Sequence, residues 1–209
     1  MNKSKKVFFF VFGIASGFLL VGLISGSIFI FYKFGSYVLN MCDSYSQNKK
    51  GSYVSKFIPG SRISFEYQNE LKMFEQAESS MLWDEKFAMN GKYSLLIEFP
   101  AGTNYPGIFF DVMGKNCLNW KGMKALSCEV LGDPDFTAKI TLKFKSGAKY
   151  PKRSFEKEFT ILPKTLVKII VTKEELAKHL DLENISYMKL FIETPASTYR
   201  LHLDNIELS

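Results

Sequence analysis

Two histidines, three cysteines and scattered carboxylates are what this sequence offers for acid–base, nucleophilic or metal chemistry. His179 closes a short helical stretch, where an imidazole is comfortable against the helix dipole. His202 alternates outward with Arg200 and Asp204 along the last strand-like run. No G-x-S-x-G elbow, P-loop or H-E-x-x-H motif is present. Cys42, Cys117 and Cys128 form no C-x-x-C pair and no Cys/His cluster, so a zinc site is not expected. Cys117 and Cys128 either bridge across a short loop, if their domain lies outside the cytoplasm, or remain thiols. Cys128 alternates with Leu126 and Val130, as a small core residue would. Paired carboxylates hydrolyse glycosides when they stand about 5–9.5 Å apart. Glu66 and Asp204 are the pair such chemistry would use, whereas Glu98 and Asp111 fall on different strands with no defined separation. The expectation is a binding protein and not an enzyme.

These residues are carried by a chain of 209 residues, 46% hydrophobic, with a formal net charge of +6. Lys3, Lys5, Lys6 and Lys33 flank one apolar segment, and the remaining 23 of the 27 lysines and arginines face 21 acidic residues. The basic balance therefore belongs mostly to the flanks of that segment, which argues against a nucleic-acid partner. Val7 to Tyr32 is an uncharged run of 26 residues. As a helix it would span about 39 Å, enough to cross a hydrocarbon core of about 30 Å. It is longer than a signal-peptide core of about 7–15 residues, so an uncleaved signal-anchor is expected. Three lysines precede it and one follows closely, which places the N-terminus in the cytoplasm and the C-terminal part on the periplasmic or extracellular side. Gly13/Gly17 and Gly22/Gly26 have GxxxG spacing, read here as packing tolerance with dimerisation open. The division expected is a cytoplasmic N-terminus (1–6), a transmembrane helix (7–32), a polar linker (33–60) and one domain of about 150 residues (61–209).

Beyond Pro59-Gly60 the pattern is of short strands. Arg62–Tyr67, Lys92–Phe99, Gly107–Met113, Lys124–Leu131, Lys139–Lys145, Phe155–Ile161, Leu166–Val171, Ser186–Glu193 and Tyr199–Leu208 all read as strands. Thr172–His179 reads as the one helix, with Thr172 and Glu175 in a capping box. The fold expected is an all-β antiparallel sandwich. Leu201 and Leu203 have one parity in the last strand and Ile206 and Leu208 the other. Either a bulge near Asp204-Asn205 turns both pairs inward, or the two pairs face different apolar surfaces.

The order of these features resembles the galactose-binding-like jelly-roll superfamily, including carbohydrate-binding modules and the complex I intermediate-associated protein-like domain. The residues that carry the resemblance are Phe65-Glu66, Trp83, Asn90-Gly91-Lys92 before Tyr93-Ser94-Leu95, Asn119-Trp120-Lys121-Gly122-Met123, and the closing Leu203-Asp204-Asn205-Ile206-Glu207-Leu208. It covers 61–209 and implies a two-sheet jelly roll that binds a carbohydrate without catalysis. It also implies a structural calcium ion near Glu66, the Asn90-Gly91 backbone and Asp204. The plain alternative makes those carboxylates ordinary strand-end groups, with Lys92 as a partner. Sugar rings stack on aromatic faces, and the ligand-binding candidates are Tyr105, Trp120, Tyr150 and Tyr199. Trp83 and Trp120 match positions the family buries, which leaves Tyr105 and Tyr150, each in a turn-rich loop, as the better surface candidates. Lys139, Lys143 and Lys145 line one strand face, fit for acidic sugars or lipid headgroups, or simply solvated. The alternative function is an accessory subunit whose sandwich docks a protein partner in a membrane complex.

Overall fold

A computed structural model describes residues 57–112, 117–147 and 153–209. The segment 7–32, its flanks, Cys42 and Tyr150 lie outside the described residues. Among those described, no helix is long and apolar enough to cross a membrane. The described strands are β1 (Ser61–Ile63), β2 (Glu75–Ala77), β3 (Ser80–Asp84), β4 (Ser94–Phe99), β5 (Gly107–Asp111), β6 (Ala125–Gly132), β7 (Ala138–Ser146), β8 (Arg153–Ile161), β9 (Leu166–Thr172), β10 (Ile185–Ile192) and β11 (Tyr199–Leu208). They form two antiparallel sheets, β3-β4-β11-β6-β9 with β1 against the end of β11, and β2-β5-β10-β7-β8. A 3-10 turn spans Gln68–Met73, and the short helix α1 (Lys173–Ala177) follows β9. Its capping box is formed: Thr172 Oγ1 accepts the Glu175 N–H, and the Glu175 carboxylate accepts the Thr172 N–H.

Alternation builds the core. Leu126, Cys128 and Val130 of β6 and Ile140, Leu142 and Phe144 of β7 all point between the sheets. At one end Trp120 meets Phe57, Phe110 and Phe144 edge-on, with centroids 5.8, 6.4 and 6.1 Å away, a favoured aromatic geometry. Phe57 is buried and accepts the Trp120 indole N–H at 3.0 Å, so the core begins inside the segment expected to be linker. Cys117 and Cys128 are both free thiols, and burial pushes the Cys128 thiol up to about 12. β2 and β3 were not expected. Glu-Gln-Ala carries no apolar alternation, and β3 leaves Leu82 exposed.

β11 resolves its parity with a bulge. Its register against β6 shifts between Asp204 and Glu207, Asn205 takes φ +49°, and Leu201, Leu203, Ile206 and Leu208 are all buried in one core. The bend turns Asp204 inward, contrary to the outward alternation with His202, and leaves it fully buried. Its Oδ1 accepts the Asn205 N–H at 2.7 Å, and its Oδ2 accepts those of Met89 and Asn90 at 3.1 Å each. Glu66 Oε1 likewise accepts the Lys92 and Tyr93 N–H groups at 2.8 and 3.0 Å. Between them Gly91, at φ +82°, has no room for a Cβ, which would lie 2.3 Å from Glu66 Oε1. The two carboxylates thus clamp the 89–93 loop through the backbone, and Lys92 partners Glu66 by its N–H. Calcium needs about 6–8 oxygen ligands, but N–H donors face these oxygens and compete with a cation for them. The residues as arranged do not fit a calcium site.

His202, on the outer face of the first sheet, stands 3.7 Å from Asp84 and 3.3 Å from Ser94 Oγ, under the Phe87 ring. Burial holds its imidazole below the ordinary value of 6.5, against the pull of Asp84. A neutral half-buried histidine stabilises the fold above the unfolded-state value. That stability is lost as pH falls from about 6.5 through the folded value, because only the unfolded chain takes up the proton there.

Asp204→Ala should lower stability by about 3 kcal/mol, since three donors lose their acceptor, and the thermal midpoint by roughly 10 °C. Asp204→Asn should lose less, because it keeps one acceptor oxygen. Thermal melts with calcium and with a chelator should coincide; a calcium-dependent rise in midpoint would restore the ion to this loop. Between pH 6.5 and 5 the midpoint should fall, and His202→Gln should flatten that fall; an unchanged slope would assign the acid sensitivity elsewhere.

Candidate functional site

The outward side of the second sheet carries an unusual mixture of rings and charges. Reading across its strands, Glu75, Phe109, Lys189, Lys143 and Glu156 stand in one row. Ala77, Gly107, Phe191, Thr141 and Glu158 form the next, and Asp111, Tyr187, Lys145 and Ser154 a third. The alternation that sends Ile108, Phe110, Met188 and Leu190 into the core sends Phe109, Tyr187, Lys189 and Phe191 to this face. Phe109 and Tyr187 lie side by side, with centroids 5.8 Å apart. Phe191 rests over Gly107, where a Cβ would come within 2.1 Å of the Leu190 carbonyl oxygen and 2.8 Å of Phe191 Cβ. The missing side chain is therefore a condition of the ring's position.

Tyr105 forms the wall of this face. It is 48% exposed and meets Phe191 edge-on at 5.7 Å. Its backbone takes φ +56°, and Thr194 across the gap takes φ +38°, unfavourable for residues with a Cβ and more so for a β-branched one. Cross-links hold both loops there. Tyr105 Oη donates to Glu193 Oε1 at 3.1 Å, Thr194 Oγ1 to Asn104 Oδ1 at 3.1 Å, Gly102 N to the Pro195 carbonyl at 2.9 Å, and Lys189 Nζ to the Tyr105 carbonyl at 2.7 Å. The Glu193 hydrogen bond raises the Tyr105 hydroxyl above its ordinary value of 10.0. Burial, with Asp111 beside it, pushes the Tyr187 hydroxyl up to about 12. Both phenols stay neutral at physiological pH. Next to the wall a groove of about 480 Å³ opens between the 136–139 and 193–198 loops, with Phe136, 46% exposed, on its far side and Lys139, Thr141 and Glu158 along its floor.

The expected ligand residues separate. Trp120 is fully buried in the aromatic core, so it presents no face to a ligand. Tyr199 is 2% exposed; its hydroxyl accepts the Asp133 N–H at 3.3 Å and helps hold the corner before β11. Both were expected as contacts and are structural. Tyr105 alone of the four is exposed among the described residues, and Tyr150 lies outside them. Trp83 is not core: it is half-buried and stacks on Tyr93 at 3.7 Å. Phe109, Tyr187, Phe191 and Phe136 were not singled out as candidates. The signal for three of them was present, because Tyr187 and Phe191 share a parity opposite to Met188, Leu190 and Ile192, and Phe109 is opposite to Ile108 and Phe110. His179 is exposed and stacks on Phe155 at 5.3 Å. Among the described residues no group of three or more His, Cys, Asp or Glu is placed to hold a metal ion.

No protein-family model matches this sequence, and no curated protein matches it. Solved structures do. An exo-β-agarase superposes with a TM-score of 0.60 at 13% identity, over 70% of this chain and 24% of that one. A second agarase gives 0.56 at 12% identity, over 70% and 25%. The family 11 carbohydrate-binding module from Clostridium thermocellum, in complex with a β-1,3-1,4-mixed-linked tetrasaccharide, gives 0.50 at 13% identity, over 65% of this chain and 86% of the module. This chain spans about a quarter of the length of the two agarases. At these identities the likeness is one of architecture, a two-sheet antiparallel β-sandwich of jelly-roll type.

Proposed function

We propose that this protein is a non-catalytic carbohydrate-binding module, held at a membrane by its N-terminal apolar segment and displayed on the extracytoplasmic side. The observation that carries the reading is the outer face of the second sheet, where Phe109, Tyr187 and Tyr105, the last backed by the buried Phe191, stand among hydroxyl, ammonium and carboxylate groups. Sugar rings offer C–H surfaces to aromatic faces and hydroxyls to polar groups, and this face supplies both. The fold likeness to a module solved with a bound tetrasaccharide supports the same reading. Glu66 and Asp204, the carboxylates a hydrolase would use, are engaged in clamping a loop.

A second reading, an accessory subunit that docks a protein, has its own observation. On the outside of the first sheet Leu166, Leu131, His202, Leu96 and Leu82 form one row across the strands, with Phe87 on His202. Leu82 is 58% and Leu166 57% exposed. That surface suits an apolar partner as well as the opposite face suits a sugar.

A glycan array probed with the full chain in detergent should give selective binding to one glycan class. Tyr105→Ala and Tyr187→Ala should each weaken it about tenfold, or about 1.4 kcal/mol, with circular dichroism showing each variant still folded at the assay temperature. No glycan bound by a folded chain would remove the carbohydrate reading. Copurification of one stoichiometric protein, lost in Leu82→Glu and Leu166→Glu, would replace it with the docking subunit.

A further inference from the structure

The lysines of the second sheet's outer face are not distributed like a solvated strand surface. Lys143 and Lys189 are direct cross-strand partners, and like charges so placed are destabilising. Lys145 is next along β7, opposite Tyr187. The usual relief is a neighbouring carboxylate. Lys143 has Glu156, and Lys139 has Glu158 at 2.9 Å, both across the β7–β8 ladder. Among the described residues neither Lys145 nor Lys189 makes a salt bridge. Both ammonium groups lie against rings: Lys145 Nζ is 4.8 Å from the Tyr187 centroid, and Lys189 Nζ is 5.2 Å from that of Phe191. Cation–π contact of this kind leaves the outer side of the ammonium open to an anion. Lys189 is also partly desolvated, and its ammonium donates to an uncharged carbonyl, that of Tyr105. Burial first, and Lys143 next, hold its ammonium below the ordinary value of 10.5, with Glu78 pulling only weakly the other way. The carboxylates of the face stand at its margins, with Glu75 on β2, Asp111 at the end of β5, and Glu156 and Glu158 on the edge strand β8.

We propose that this face takes an acidic polysaccharide, a polymer of uronic acids, whose carboxylates meet Lys145 and Lys189 while its sugar rings lie against Tyr187 and the exposed Tyr105. The proposal rests on the carbohydrate-binding reading and adds the ligand class. Along a strand, residues two apart on one face are separated by about 7 Å, and neighbouring strands by about 4.8 Å. Lys145 and Lys189 therefore stand on adjacent strands one row apart, and a polymer crossing the face diagonally meets them in succession, with Tyr187 beside the first and Tyr105 beside the second. A neutral glycan would leave Lys145 without a counter-charge and Lys189 with only the pull of Glu78, so the same rings would hold it less tightly.

The test compares polygalacturonate with its fully methyl-esterified form, which keeps the sugar backbone and removes the charge. With the full chain in neutral-lipid nanodiscs at low salt, polygalacturonate should bind at least about tenfold tighter than the ester, and the advantage should shrink as salt screens the lysines. The double variant Lys145→Gln/Lys189→Gln should lose that advantage, and Lys145→Arg/Lys189→Arg should keep most of it. Thermal midpoints of both variants report whether the fold is intact. Equal binding of the acid and the ester would overturn the acidic class and leave the carbohydrate reading standing. Absence of binding to these and to every neutral glycan would remove both. Capture of phosphatidylserine vesicles without any glycan binding would assign the lysines to a membrane surface and overturn the proposal.

Discussion

Asp204 is fully buried at the bulge of β11, and its two oxygens accept N–H groups from its own strand and from the 89–93 loop. β11 pairs with β4, β6 and β1, so the bend it makes there sets the register of most of the first sheet. Without the bulge, either Leu201 and Leu203 or Ile206 and Leu208 would leave the core, and with them much of the contact between the sheets. Burying a carboxylate costs free energy, and burial does raise the Asp204 carboxyl above its ordinary value. The three N–H bonds pull the other way and make the inward position tenable. Asn205 completes the arrangement, accepting from Arg62 and donating to Glu129, which ties β1 and β6 to the same bend.

With the first sheet fixed in this way, the two outer surfaces take different chemistry. The first sheet shows a leucine row interrupted by one histidine; the second shows rings alternating with lysines. The difference follows from which strands are neighbours. β10 lies between β5 and β7, so the parity that turns Tyr187, Lys189 and Phe191 to the outer side sets Lys189 directly between Phe109 and Lys143, and Tyr187 between Asp111 and Lys145. No segment of the chain holds that constellation alone.

This explains what the sequence could and could not disclose. Strands with strict alternation, such as 139–145 and 124–131, were legible because one parity is wholly apolar. The parity conflict in β11 was visible too, but the choice of a bulge depended on an acceptor for N–H groups more than a hundred residues away. The aromatic surface was only half legible: parity separates Tyr187 and Phe191 from Met188, Leu190 and Ile192, but both sets carry large apolar residues, and only pairing shows which side faces out. Trp120 and Tyr199 misled for the opposite reason. Each has a polar atom that suits an exposed position, and each satisfies it internally, on the Phe57 carbonyl and the Asp133 N–H. β2 and β3 were hidden because they are short edge strands whose partners, β5 and β4, supply the order.

Tyr105 keeps an unfavourable backbone conformation because its hydroxyl, its carbonyl and its neighbour Asn104 are each tied to β10 or to the loop that follows it. A residue tied through its side chain, its backbone and its neighbour has little freedom to surrender when something settles against it. The ordering that association normally exacts from a loop has already occurred on folding. Recognition at this wall should therefore be governed by shape, with fast capture and a narrow tolerance for partners that demand it move.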